Sequence, residues 1–144
     1  MSTDFLAAAS AYSAGDVIGG AQAVTDLRPG PQIITSVEFM VEHTAVLSGE
    51  STYRLHLYAL TPPSALADND AWDIPAGDRL AYRGSVDILT PVDEGATLYV
   101  RADGINVAVD VPPSGTLYAY LETIGAFTAT AAIRRVTLHS KPSR

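Results

Sequence analysis

Apolar and polar residues alternate with a period of two in at least six stretches of the chain. Residues 33–43 place Ile33, Thr35, Val37, Phe39 and Val41 on one face. Ser36, Glu38 and Glu42 fall on the other, with Ile34 and Met40 as apolar exceptions. That is the pattern of a half-buried β-strand. Residues 52–60 repeat it, with Tyr53, Leu55, Leu57 and Ala59 set against Arg54, His56 and Tyr58. The link between them carries Ser48-Gly49-Glu50, a turn signal, so the two segments are predicted to pair as a hairpin or as a long-looped antiparallel pair.

Further strands are predicted at short intervals. Residues 78–88 align Leu80, Tyr82, Val86 and Ile88, interrupted by Gly84, where a bulge is expected. Residues 97–102 and 105–111 flank Asp103-Gly104, the dipeptide of a type I′ hairpin turn, which needs positive φ at both central positions. Residues 116–123 set Leu117, Ala119 and Leu121 opposite Tyr118 and Tyr120, and residues 131–140 close the series with Ile133, Val136 and Leu138. Near the start, residues 16–18 and 22–27 read as two short strands around Gly19-Gly20.

Proline and glycine punctuate almost every boundary, as at Pro29-Gly30-Pro31 and Pro112-Pro113. Little room is left for helix: a short one over residues 3–11, capped by Ser2 or Thr3, and a single turn over residues 63–69. The expected fold is all-β, a single-domain antiparallel β-sandwich of jelly-roll-like type with at most a short N-terminal helix. The expected divisions are an arm or short helix over 1–12, the sandwich over 13–140 and a tail over 141–144.

A chain of 144 residues is the size of one domain that folds on its own core. It has no cysteine, which removes disulfides, thiol nucleophiles and cysteine-ligated zinc. No apolar run approaches the ~18 residues of a membrane span, and Met1-Ser2-Thr3-Asp4 lacks the basic start of a signal peptide. Sixteen acidic residues against nine basic ones give a net charge of −7. That balance disfavours nucleic acid, whose phosphates call for a basic patch. Arg134 and Arg135, adjacent in a strand, point to opposite faces and make no patch. An acidic surface favours a basic or neutral partner.

Candidate chemistry is sparse. His43, His56 and His139 fall in separate predicted strands with no short metal-ligand spacing, and they read as surface or strand-end residues. Gly15-Asp16-Val17-Ile18-Gly19-Gly20 lacks the lysine and helix of a phosphate cradle and reads as a turn entering the sheet. Residues 68–73 form the densest polar cluster. Asp68, Asp70 and Asp73 supply oxygen ligands suited to Ca²⁺, but Trp72 breaks the EF-hand spacing, and a loop of Asx-turns is the preferred reading. Trp72, the sole tryptophan, anchors that loop either to the core or to a partner. Tyr118 and Tyr120, with Tyr99 beside them, offer a carbohydrate-stacking platform, although cross-strand aromatic pairing within the sheet explains them more simply. No nucleophile–base pair and no cofactor motif stands out, so a non-enzymatic protein without cofactor is expected.

Several segments taken together resemble small virion proteins of tailed bacteriophages. They are Tyr12-Ser13-Ala14-Gly15-Asp16-Val17-Ile18-Gly19-Gly20, Ile34-Thr35-Ser36-Val37, Leu55-His56-Leu57-Tyr58 followed by Pro62-Pro63, and Ala67-Asp68-Asn69-Asp70-Ala71. Their order and spacing also correspond, over roughly half the chain. The resemblance implies a small β-sandwich and a structural role, most like a capsid decoration (cement) protein on the outer head surface. A tail or head–tail protein is the runner-up, and a carbohydrate-binding module of an adsorption device is the reading from another class. The family has no catalytic residues to carry over. The partners implied are the major capsid protein and further copies of the chain, a trimer being one form, without nucleic acid or membrane. The implied location is the virion, after synthesis in the host cytoplasm. For attachment, Phe5, Leu6 and Tyr12 of the apolar N-terminal segment and Trp72 of the polar loop are the expected anchors.

Overall fold

A computed structural model describes residues 1–62 and 64–144. Eleven strands follow in chain order: β1 (Ser2–Leu6), β2 (Ala11–Tyr12), β3 (Val17–Val24), β4 (Gly30–Val41), β5 (Tyr53–Tyr58), β6 (Tyr82–Ile88), β7 (Val92–Asp93), β8 (Leu98–Val111), β9 (Leu117–Thr123), β10 (Phe127–Thr128) and β11 (Ile133–Pro142). One sheet runs β1-β11-β4-β8-β7, the other β3-β9-β5-β6, and β2 pairs with β10 at one end. Every pairing between strands is antiparallel.

The strand order defines the topology. With β2, β7 and β10 set aside, eight strands remain, and numbered along the chain they stand 1-8-3-6 in one layer and 2-7-4-5 in the other. That is a jelly roll, an eight-stranded double sheet wound from two Greek keys. The inner faces of both layers supply one core, including Phe5, Ile34, Phe39, Leu55, Leu57, Leu98, Leu121, Val136 and Leu138. The expected all-β sandwich is therefore found. Among the described residues there is no α-helix, only a 3-10 turn at Ala76–Asp78.

Several local expectations are corrected. Residues 1–12 form neither a free arm nor a helix. β1 lies along β11, Phe5 is wholly buried, and Asp4 takes both Nε and Nη2 of Arg135 at 2.7 and 2.9 Å. A helix there would leave the β11 edge unpaired and Phe5 in water, so tertiary pairing overrides the helix-forming alanines. Nor is 141–144 simply a tail: Lys141 and Pro142 extend β11 opposite Ile33 and Gln32, and Ser143 donates its N–H to the Pro31 carbonyl.

β4 and β5 do not form a hairpin. They belong to opposite sheets, and residues 42–52 cross between them. Asp103-Gly104 makes no hairpin either, because both predicted halves pair with the same partner, β4, as one strand. The positive φ of Gly104 (+71°) is used in an irregularity of β8. Likewise the two short strands around Gly19-Gly20 are one strand, with a register shift between Ile18 and Gln22. Gly19 is required there: a Cβ would come within 3.0 Å of the Leu6 N, and its φ is +75°. Gly84 does mark the expected bulge, opposite Leu57 with φ +113°.

β4 also changes face along its length. Ile34 is buried together with Val37, Phe39 and Val41, although the parity differs. Opposite β11, Ser36 pairs with His139 and Ile34 with Ser140, so Thr35 is an extra residue and the strand turns over there. Ile34 is thus core, not an exception. Leu80 leaves the predicted row of 78–88 and is 93% exposed in the turn before β6. The turn expected over 63–69 begins at Pro63, outside the described residues; residues 64–69 are not helical.

Candidate partner-binding surfaces

Between β5 and β6, the stretch 66–72 does not loop into solvent. It climbs the outer face of the four-stranded sheet as a strap beside β3. Val17 donates its N–H to the Asp70 carbonyl, Asn69 returns one to Val17, and Trp72 donates to Gly15. Asp68 fastens the strap to the N-terminal region, its Oδ1 accepting from the Gly19 N–H at 2.6 Å and from the Tyr12 hydroxyl at 2.8 Å. Burial, reinforced by this carboxylate, pushes the Tyr12 hydroxyl up to about 12. Asp70 accepts from the Ala67 N–H, as in the Asx-turn reading. The three aspartates do not form a metal-ligand cluster; among the described residues no such group of His, Cys, Asp and Glu is present.

Trp72 is half-buried and lies flat on His56, ring centroids 3.6 Å apart and planes 14° from parallel. Tyr58, Tyr82 and Tyr120 surround the indole. His56 is no surface residue: it is 3% exposed in the middle of β5. Its Nε2 stands 2.8 Å from Glu122 Oε1 and its Nδ1 3.0 Å from the Tyr82 hydroxyl. A neutral imidazole donates through one nitrogen and accepts at the other, so both partners are satisfied without charge. Burial pushes His56 down to about 3 and Glu122 upward, both toward their neutral forms.

The expected anchors are therefore unequal. Phe5 and Tyr12 are core residues, at 0% and 2% exposure, and cannot reach a partner without local unfolding. Leu6 is exposed at 58%, and Trp72 presents only part of its ring. Tyr12 and the Trp72 strap, far apart in sequence, are brought together through Asp68. Tyr120 is buried and its hydroxyl accepts from the Leu66 N–H of the strap, so the sheet face is covered. Tyr99 does not join Tyr118 and Tyr120: it lies on the other sheet and donates to Glu38.

The outer face of the five-stranded sheet carries no such cover. Asp4, Arg135, Met40, Tyr99 and Val92 form one cross-strand row over five strands. Beside that row Glu38 bonds Tyr99 and His139, which hold its carboxyl below the usual range, His139 contributing most. At the end of the sandwich, a groove of about 610 Å³ runs between Leu47-Ser48 and the β2–β10 pair, floored by Tyr12 and Phe127. Behind Phe127 sits Arg134, wholly buried, 5.3 Å from the ring and 3.1 Å from Glu50 Oε1.

Sequence reasoning missed the His56–Glu122 and Arg134–Glu50 pairs. Each joins residues more than sixty apart, and only the strand order places them opposite. A polar residue between apolar neighbours was the available signal, and it reads equally as a solvated face.

No family model and no curated protein matches the chain. Among solved structures, it is similar to a chain from "Israeli acute paralysis virus heated to 63 degree - full particle". The identity is 8%, the TM-score 0.32, and the alignment covers 100% of this chain and 73% of that one. A TM-score of that size carries no argument about function.

Proposed function

We propose that this protein is a non-enzymatic structural component of a tailed-phage virion, a capsid decoration protein that binds the outer head surface at subunit junctions. The observation that carries the reading is the jelly-roll strand order, an architecture that recurs in viral capsid domains. Fold does not dictate function, and the resemblance of residues 12–20, 34–37, 55–58 and 67–71 to phage virion proteins supplies the rest. A rigid sandwich with one uncovered sheet face suits a protein that adheres rather than turns over. Its best-placed acid–base pair, His56 and Glu122, is closed over by Trp72.

In this role, interface energy is multiplied by symmetry. A contact of about 1,600 Å² suffices for specific association, and copies repeated over a shell jointly resist internal pressure. The carbohydrate-binding reading loses ground because the strap buries Tyr120 and Tyr99 lies on the other sheet, which leaves Tyr118 alone of the three.

The test adds purified protein to heads of its phage that lack decoration, followed by sedimentation and a heat challenge. Co-sedimentation at a stoichiometry set by the lattice, with raised heat resistance, is the expected result. Protein left in the supernatant at every concentration would reject the decoration role and favour a tail position.

A further inference from the structure

The chain has nine arginines and lysines. Four of them, Arg54, Arg101, Arg134 and Arg135, hold carboxylates in ion pairs along the strands. The other five are Arg28, Arg79, Arg83, Lys141 and Arg144, and no ion pair among the described residues includes them.

The topology gathers these five at one end of the sandwich. β3 finishes there at Val24 and β4 begins there at Gly30, so Arg28 lies in the connection between them. β6 starts there at Tyr82, with Arg79 in the turn before it and Arg83 just inside it. β11 ends there, Lys141 standing opposite Ile33, and Arg144 follows. Asp26, Asp78 and Asp110 lie toward that end, and Asp78 is buried. The other acidic residues lie on the strands, in the strap over the four-stranded sheet or at the opposite end, where the four paired arginines accompany them. A chain of net charge −7 therefore carries one end that is not acidic.

The same end presents apolar side chains. Leu80 is 93% exposed and Leu60 62% exposed. The Ala59 N–H bonds the Ala81 carbonyl, which holds the chain at Leu60 and Leu80 together. Arg83 donates Nη1 to the Leu80 carbonyl at 2.7 Å, which fixes the turn beneath that leucine.

We propose that this end, with Leu60, Arg79, Leu80 and Arg83 at its tip, docks an acidic protein surface that offers an apolar pocket. The inference rests on the decoration reading for where that surface lies, on the exterior of the shell. The global charge alone pointed to a basic or neutral partner, and its segregation along the sandwich reverses that expectation. A protein partner is favoured over duplex DNA because phosphates offer no pocket for the two leucines and the acidic remainder repels a polyanion. It is favoured over a lipid surface because two leucines bury too little for stable anchoring.

The test compares wild type, Arg79→Glu/Arg83→Glu, Leu80→Ser and, as a control on the strands away from both the tip and the uncovered sheet face, Arg54→Gln, all checked for folding by circular dichroism. Binding is measured to undecorated heads, to immobilised polyglutamate, to duplex DNA and to phosphatidylserine vesicles, at low and physiological salt. Both tip variants should bind heads at least tenfold more weakly while the control matches wild type. Tip variants that bind heads like wild type would overturn the inference and leave the decoration reading standing. If wild type does not bind heads, that reading fails, and polyglutamate decides the inference. Salt-sensitive retention that the Arg79→Glu/Arg83→Glu variant loses tenfold supports it, and no retention overturns it. Tighter binding to DNA or to vesicles than to polyglutamate would also overturn it.

Discussion

Removing the Glu50 carboxylate should destabilise the protein more than almost any other single polar change. The Glu50 and Arg134 side chains are each 1% exposed. Glu50 Oε1 accepts from Arg134 Nη2 at 3.1 Å and from the Tyr53 hydroxyl, and Oε2 accepts from the Leu47 N–H at 3.0 Å. In Glu50→Ala the guanidinium keeps only Tyr53, the Ala132 carbonyl at 3.3 Å and the Phe127 ring. A buried charge then stands without its counter-ion, and two donors lose their acceptor. Breaking such a pair costs about 3–5 kcal/mol, which for a chain of this length lowers Tm by about 10–15 °C. Thermal and urea unfolding followed by circular dichroism measure it. The double variant Glu50→Leu/Arg134→Met should recover most of the loss, because desolvation of both charges disappears with them. A loss below about 1 kcal/mol in Glu50→Ala would refute the reasoning, since it would mean that water or another anion already serves Arg134.

Acid should weaken the fold through His56. Its native value lies near 3 against 6.5 unperturbed, so the unfolded chain takes up a proton that the native protein refuses. The contribution is intact above pH 6.5 and is lost as pH falls toward 3, by at most about 5 kcal/mol. Glu122, displaced upward, gains stability over part of the same range and lessens the slope. Urea midpoints of wild type and His56→Gln between pH 7 and 4.5 should show a flatter dependence in the variant; parallel curves would contradict the assignment. Trp72→Ala should cost about 1–3 kcal/mol, in line with a half-buried aromatic, and should let the His56 titration observed by NMR rise toward 6.5. An unmoved titration would mean that Glu122 and Tyr82 alone set it. Gly19→Ala should destabilise by at least ~1 kcal/mol in denaturant melts, from positive φ and the approach to Leu6; a neutral outcome would show that β1 yields easily.

The sandwich was legible because period-two alternation survives wherever one face meets the core, as in Leu117, Ala119 and Leu121. Pairing was not. Nothing within residues 33–60 says that β4 and β5 part to different sheets, since that follows from β11 and β8 flanking β4 and from β9 flanking β5. Asp103-Gly104 signalled positive φ correctly, yet a bulge and a hairpin turn share that requirement, and the long partner strand decided between them. The N-terminal segment misled because Ala7, Ala8 and Ala9 favour helix locally while Phe5 and Asp4 find their partners only on β11. At the surfaces, Trp72 was read as an anchor to the core or to a partner; it rests on His56, which looked like a solvent-facing residue of an alternating strand. The end that is not acidic escaped notice because its bases lie at 28, 79, 83, 141 and 144, brought to one end only by the strand order.

The proposed decoration role is tested most directly by a cryo-electron microscopy map of particles assembled from the genome that carries this gene, refined with the head's symmetry and inspected on the outer shell. A decoration role predicts eight-stranded sandwich density of this size at equivalent subunit junctions, present in the parent particle and missing when the gene is deleted. Density for the protein confined to the tail, or none anywhere in a particle that assembles normally, would contradict it.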